Sequence, residues 1–146
     1  MKKKLLTSYL TVRTIEKIAN GTATRTPQPE EGVSYAPILT KEMAQIDFSK
    51  TAKELSCMVR GFYSWPCAYF FLDGKRVKVL KARVEDITTQ KESGTVICSD
   101  NKLLIACGKG TVLSLLEVQP EGSNAMPISV MLNGRKIPVG TKIVRM

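Results

Sequence analysis

Histidine is absent from all 146 residues. Its absence excludes the usual Ser/His and Cys/His relays, most catalytic zinc sites and any general base built on imidazole. Cysteine is sparse and wrongly spaced for a metal. The four, at positions 57, 67, 98 and 107, contain no CxxC pair to nucleate a zinc knuckle or a redox dithiol, so buried reduced thiols are expected. Cys98 and Cys107 could meet across a hairpin, but only an oxidising compartment would join them. No stretch approaches the ~18 uncharged apolar residues of a membrane helix, so no membrane-spanning segment and no membrane partner are expected. Acidic residues are the minority: 13 Asp+Glu stand against 22 Lys+Arg, a formal net charge of +9. A large partner is therefore expected to be a polyanion.

At this length the chain makes one ordinary domain with or without an appendage, and folding buries roughly 68–70% of the unfolded surface, enough for a self-sufficient core. The opening Met1-Lys2-Lys3-Lys4-Leu5-Leu6 resembles a signal-peptide start. The apolar run that follows is broken by Thr7, Ser8 and Thr11 and cut by Arg13, and no small-residue cleavage site comes soon after, so the cytoplasm is the expected compartment. Leu5 to Ala19 reads as an amphipathic helix, with Leu6, Tyr9, Leu10, Val12, Ile15, Ile18 and Ala19 near helical spacing and Asn20-Gly21 as a left-handed stop. Residues 22–40 hold Pro27, Pro29, Pro37 and Gly32, which disfavours helix and ladder alike. An extended linker and a disordered tail both fit that composition.

A second helix is expected from Asp47 to near Gly61, because Thr51 and Glu54 form a capping-box pattern ahead of the apolar positions Ala52, Leu55, Met58 and Val59. Beyond it, β-branched and aromatic runs alternate with turn residues. Strands are expected at Ala68 to Leu72, Arg76 to Val84, Gly94 to Ser99, Lys102 to Cys107 and Thr111 to Gln119, with Asp73-Gly74 as a two-residue hairpin turn. Val77 and Val79 share one parity while Leu80, Ala82 and Val84 share the other, which predicts a bulge around 79–81. Met126 to Leu132 reads as a short helix with Pro127 in its first turn, and Arg135 to Val144 as a last extended piece. Five short strands with small helices make a mainly β chain and suit an OB-like Greek-key barrel, preceded by a helix and an extended linker.

Two features carry binding chemistry. Lys75, Arg76, Lys78, Lys81 and Arg83 place five cations in nine positions with no carboxylate between them, and Arg135-Lys136 and Lys142 with Arg145 are smaller clusters that would extend the track. Phosphate contact by such a strand is sequence-blind and salt-dependent; the competing reading is a solvated sheet face guarding an edge. Six of the nine aromatic residues, Phe62, Tyr63, Trp65, Tyr69, Phe70 and Phe71, lie within ten positions just before that strand. Core packing is expected for most of them, and Tyr63 and Tyr69 are the best placed to face a ligand. Gly108-Lys109-Gly110-Thr111 fails the phosphate-loop spacing and reads as a tight turn. Asp47, Asp86 and Asp100 have no paired carboxylate at a useful spacing. No catalytic residue and no metal ligand can be assigned.

Three ordered stretches carry a resemblance. Gly21-Thr22-Ala23-Thr24-Arg25-Thr26-Pro27-Gln28, with Ser34-Tyr35-Ala36-Pro37, resembles the linker of methionyl-tRNA formyltransferases. Ile46-Asp47-Phe48-Ser49, then Arg60 through Tyr69 (RGFYSWPCAY), resembles the opening of that family's C-terminal domain. Cys107-Gly108-Lys109-Gly110, Leu116 through Gly122 (LEVQPEG) and Leu132-Asn133-Gly134-Arg135 resemble its later strands and final helix. Phe48 stands where the family usually has Trp, and Phe62-Tyr63-Ser64 and Cys67 replace a more usual Leu-Asn-Pro and a small residue.

The resemblance implies a remnant of the last catalytic-domain helix over residues 1–20, a linker over 21–40 and an OB-fold-like C-terminal domain over 41–146 that helps to grip initiator tRNA. In the family, a separate catalytic domain binds 10-formyltetrahydrofolate and transfers the formyl group through an Asn/His/Asp constellation. With no histidine here, that constellation maps to no position, no cofactor is expected in this chain, and formyl transfer by the chain alone is not expected. A truncated, split or separately encoded C-terminal portion is the expectation, with a separate catalytic domain as a possible partner. The alternatives are the structural C-terminal domain of a related sugar-nucleotide or folate enzyme, and an independent OB-type module for single-stranded nucleic acid.

Overall fold

The computed structural model describes residues 2–144, with side chains from Thr7 onward; Arg145 and the side chain of Leu6 lie outside the described residues. The chain divides into two compact units, one ending at Pro37 and one beginning at Ile38. In the first, helix α1 spans Lys2–Ala19. Gly21 at φ 68° ends it, with its N–H on the Ile18 carbonyl and that of Thr22 on Lys17. Tyr9, Leu10, Val12, Ile15 and Ile18 are all more than half exposed. The proline-bearing stretch after it takes neither helix nor strand up to residue 40.

The second unit is built on an open antiparallel sheet with small helices, consistent with an OB-like fold. Helix α2 (Ala52–Gly61) begins five residues later than expected from Asp47, because Thr51 is its N-cap in a full capping box with Glu54. The Asp47 carboxylate instead accepts from the N–H and hydroxyl of Ser49 at 3.0 and 2.6 Å, a local turn that competes with helix. Strands β1 (Tyr69–Leu72) and β2 (Lys75–Glu85) form the expected hairpin about Asp73-Gly74, both at positive φ. After β3 (Val96–Cys98) and β4 (Leu103–Ala106) comes β5 (Val112–Pro120), then a two-residue β6 (Met126–Pro127) and helix α3 (Ile128–Gly134). Pro127 thus closes a strand pair and precedes α3 instead of occupying its first turn.

The strand order is β1-β2-β5-β4-β3, with β6 on β5. β3, β4 and β5 meander, and β2, which precedes them, lies beside the last of the three, the Greek-key arrangement. The sheet path ends on β1 and β3, and irregular chain covers both edges. Gln45 bridges Tyr69 at β1, while the Val96 N–H reaches the Thr141 carbonyl and the Gly140 N–H returns to Val96 at β3, each within 2.9 Å. Residues 135–144, expected as a last extended piece, turn at 139–140 and act as an edge cover.

The predicted pleat slip is present, and it occurs on two strands at once. Val79 faces Val118, Lys81 faces Glu117 and Ala82 faces Leu115, so Leu80 and Leu116 are each an extra residue left off the ladder. On β2, Val77 and Val79 have one parity and Ala82 the other; on β5, Val118 has one and Leu113 and Leu115 the other. Only paired bulges let both sets face the same core. That core joins the sheet to α2 and α3 through Phe70, Leu103, Ile105, Leu113 and Leu115 on the strands, Leu55 on α2 and Leu132 on α3, with Phe48 edge-on to Phe70 at 6.1 Å between centroids. Gly108 fixes the approach of the α2 entry. Its N–H donates to the carbonyls of Phe48 and Lys50, and a Cβ there would lie 1.9 Å from the Ser49 oxygen. The Gly108–Gly110 segment is a tight turn, as its sequence indicates.

Candidate nucleic-acid interface

Alternation along β2 buries Val77 and Val79 and leaves Arg76 and Lys78 half-buried on the outward face. Without the paired bulges Lys81 would turn toward the core. With them it points outward, opposite Glu117, and Arg83 follows on the same side opposite Ser114. Four of the five strand cations thus share one face, and Lys75 sits exposed at the hairpin turn. On β1, Tyr69 opposite Lys78 and Phe71 opposite Arg76 complete that face. The Arg76 guanidinium lies 5.8 Å from the Tyr69 ring centroid, and the Tyr69 and Phe71 rings meet edge-on at 5.7 Å.

The cations picked out in the sequence differ in how far they are neutralised. Lys81 pairs with Glu117, Arg83 with Glu85 and Arg135 with Asp73. Among the described residues, Lys75, Arg76, Lys78 and Lys136 have no salt bridge. The Glu117 partnership raises the Lys81 ammonium above the ordinary lysine range, and the Arg83 guanidinium holds the Glu85 carboxyl below the ordinary carboxylate range. Arg135 at the end of α3 reaches across to Asp73 in the β1–β2 turn, the turn from which Lys75 opens β2. Lys136 instead lines a separate open cleft with Ser99, Asp100 and Asn133. Lys142 is bound to Glu92, away from the strand row. Arg76 and Lys78 line a small cleft with Gln119, Pro120, Glu121 and Gly122, in which the Glu121 carboxylate accepts the Arg76 backbone N–H at 3.4 Å.

Phe70 is core, as expected, and Tyr69 is half-buried on the outward face. The sequence reading missed Trp65, which is 58% exposed, beside Tyr63 at 65%. The only available signal was its place between Ser64 and Pro66, a turn context in which strand alternation does not apply. All four cysteines are free; Cys67 and Cys107 are buried, and desolvation pushes the Cys107 thiol up to about 12. Among the described residues no group of three or more Cys, Asp or Glu could hold a metal ion, and no helix is long and apolar enough to cross a membrane.

This arrangement can hold phosphates; it contains no nucleophile beside a base. Comparison with known proteins gives it a setting. The family model for the formyl transferase C-terminal domain matches residues 38–136. The methionyl-tRNA formyltransferase of Lactobacillus johnsonii is 39% identical over 145 residues, which cover 98% of this chain and 46% of that protein. That of Caldanaerobacter subterraneus is 39% identical over 128 residues, 88% of this chain and 41% of that protein. The chain spans less than half the length of these curated relatives. A crystal structure of a HypX variant from Aquifex aeolicus matches 85% of this chain and 22% of its own with a TM-score of 0.57 at 18% identity, a likeness of fold alone.

Proposed function

Given that the chain belongs to the formyl transferase C-terminal domain family, we propose that it is the tRNA-gripping C-terminal portion of a methionyl-tRNA formyltransferase, acting in the cytoplasm in translation initiation. The observation that carries this reading is the outward face of β2. Arg76, Lys78, Lys81 and Arg83 lie on one side of the strand, and among the described residues the carboxylates that meet this row are Glu117 at Lys81, Glu85 at Arg83 and Glu121 at the Arg76 backbone N–H. A row of cations on a sheet recognises backbone phosphate by charge, positions a folded RNA and leaves the sequence unread.

In this reading the chain grips and does not catalyse. With no histidine among its residues, 10-formyltetrahydrofolate and the formyl-transfer step belong to a catalytic part of the enzyme that these residues do not include. Lys75, Arg76, Lys78, Lys81 and Arg83 are the proposed tRNA contacts, with Arg135 extending them past the hairpin turn and Lys136 on the adjoining cleft.

A gel-shift with folded initiator tRNA, competed by a homopolymer RNA at fixed salt, tests the proposal. Retention of the tRNA complex against excess homopolymer is expected. Equal competition would instead point to a general single-strand binder, and no shift at low ionic strength would refute RNA binding altogether. Formylated methionyl-tRNA produced by the purified chain alone would refute the division of labour.

A further inference from the structure

The cationic face does not explain why two large rings stand in water beside it. Tyr63 and Trp65 sit on the loop 62–67, which is closed on itself by the Cys67 N–H donating to the Phe62 carbonyl at 3.0 Å. The loop is fastened to the middle of β2. The Val79 N–H donates to the Ala68 carbonyl at 2.7 Å, and the buried Cys67 thiol lies 4.0 Å from the Val79 carbonyl. Its anchor therefore falls next to Leu80 and Lys81, where the strand bends, and Tyr63 is near enough to act electrostatically on the Lys81 ammonium.

Phe62 at the base of the loop is half-buried, so the loop is held by one ring and displays two. Rings exposed singly are ordinary. Two of them, on a closed loop at a row of lysines and arginines, offer what a nucleotide outside a helix needs: a π-face for its base and a cation for its phosphate. A base already paired and stacked inside a duplex has no free face to give.

On the reading that this face binds RNA, we infer that Tyr63 and Trp65 form a stacking site for an unpaired nucleotide of the bound RNA, with Lys78 and Lys81 beside it for the flanking phosphates. The rings thus add to the phosphate grip a preference for RNA that carries a single-stranded end or loop. An occupant made of protein would want these rings without the neighbouring excess of positive charge.

Trp65 is the only tryptophan in the chain, so its emission reports on the site without a label. The full chain is titrated with two RNAs of equal phosphate number, a blunt duplex and a duplex two base pairs shorter that carries a four-nucleotide unpaired end, and binding is followed in parallel by anisotropy of a dye on the RNA. Both RNAs are expected to bind, but only the overhang should quench Trp65. Trp65→Ala is expected to weaken the overhang RNA about five- to hundred-fold and the duplex hardly at all, and Trp65→Phe to restore most of the loss. Tyr63→Ala, with Trp65 still reporting, covers the case in which the Trp65 variant does not fold. Binding of both RNAs with unchanged emission, and no selective loss in either variant, would overturn the stacking site and leave the phosphate grip standing. Failure of both RNAs to bind would remove the grip itself. Emission unmoved by RNA but shifted by the N-terminal half of a relative would overturn the inference in favour of a protein interface.

Discussion

Replacing Arg76 and Lys78 together with alanine removes two outward cations of β2 that have no ion-pair partner. If each meets one phosphate, each contributes about 0.9 to the slope of log affinity against log salt, so the double variant should have a slope shallower by about 1.8. Between 50 and 200 mM salt, that difference narrows the gap between the two proteins by about twelve-fold, a ratio well outside the error of an anisotropy titration. Lys81 behaves differently because Glu117 occupies it. A phosphate must displace that carboxylate, so Glu117→Gln should strengthen binding at 50 mM and steepen the slope by up to about 0.9. The contrast separates an RNA-facing row from a general excess of positive charge. Parallel slopes for the native chain and the Arg76/Lys78 variant would refute the assignment of this face, whatever the absolute affinities.

Three further outcomes rest on packing. Thr51→Ala breaks the capping box of α2 and should lower the free energy of unfolding by about 1 kcal/mol, read from denaturant midpoints. The Glu54 carboxyl is held low by the Thr51 hydroxyl and N–H. Its contribution is therefore fully present above the ordinary carboxylate value and lost as pH falls from there through the lowered folded value, and the gap between native and variant should close in acid. Gly108→Ala drives a Cβ to 1.9 Å from the Ser49 carbonyl oxygen and should destabilise by about 3 kcal/mol or more; Gly134→Ala, with nothing within 4 Å, should be close to neutral by thermal melt. A maleimide chase on the native chain should label Cys57 quickly and spare Cys107, whose burial holds the thiol protonated; rapid labelling of Cys107 would contradict the packing of β4 against β5.

Local chemistry was readable from the chain. Thr51 with Glu54, Asp73-Gly74 and the broken parity at residues 79–81 each specify structure within a few positions, and each is found where the pattern puts it. What depends on distant partners was not readable. Residues 135–144 cover the β3 edge because Thr141 and Gly140 find Val96, more than forty positions away. The basic residues looked alike as letters. Only the fold shows that Arg135 is held by Asp73, 62 residues away, and that Lys81 is held by Glu117 while Lys78 has no such partner. Trp65 was hidden for a related reason, since burial in a loop depends on where the loop is tied and not on any period.

Because Leu80 and Leu116 lie outside the ladder on either side of the Lys81–Glu117 pair, excising both would join Val79 to Lys81 and Leu115 to Glu117 in uninterrupted alternation. Every remaining side chain would keep its present side, inward or outward, and the sheet would lose only its local bend. Curvature in this fold is thus a separable module: it can be lengthened, flattened or moved along the strand pair without rewriting which groups the surface displays.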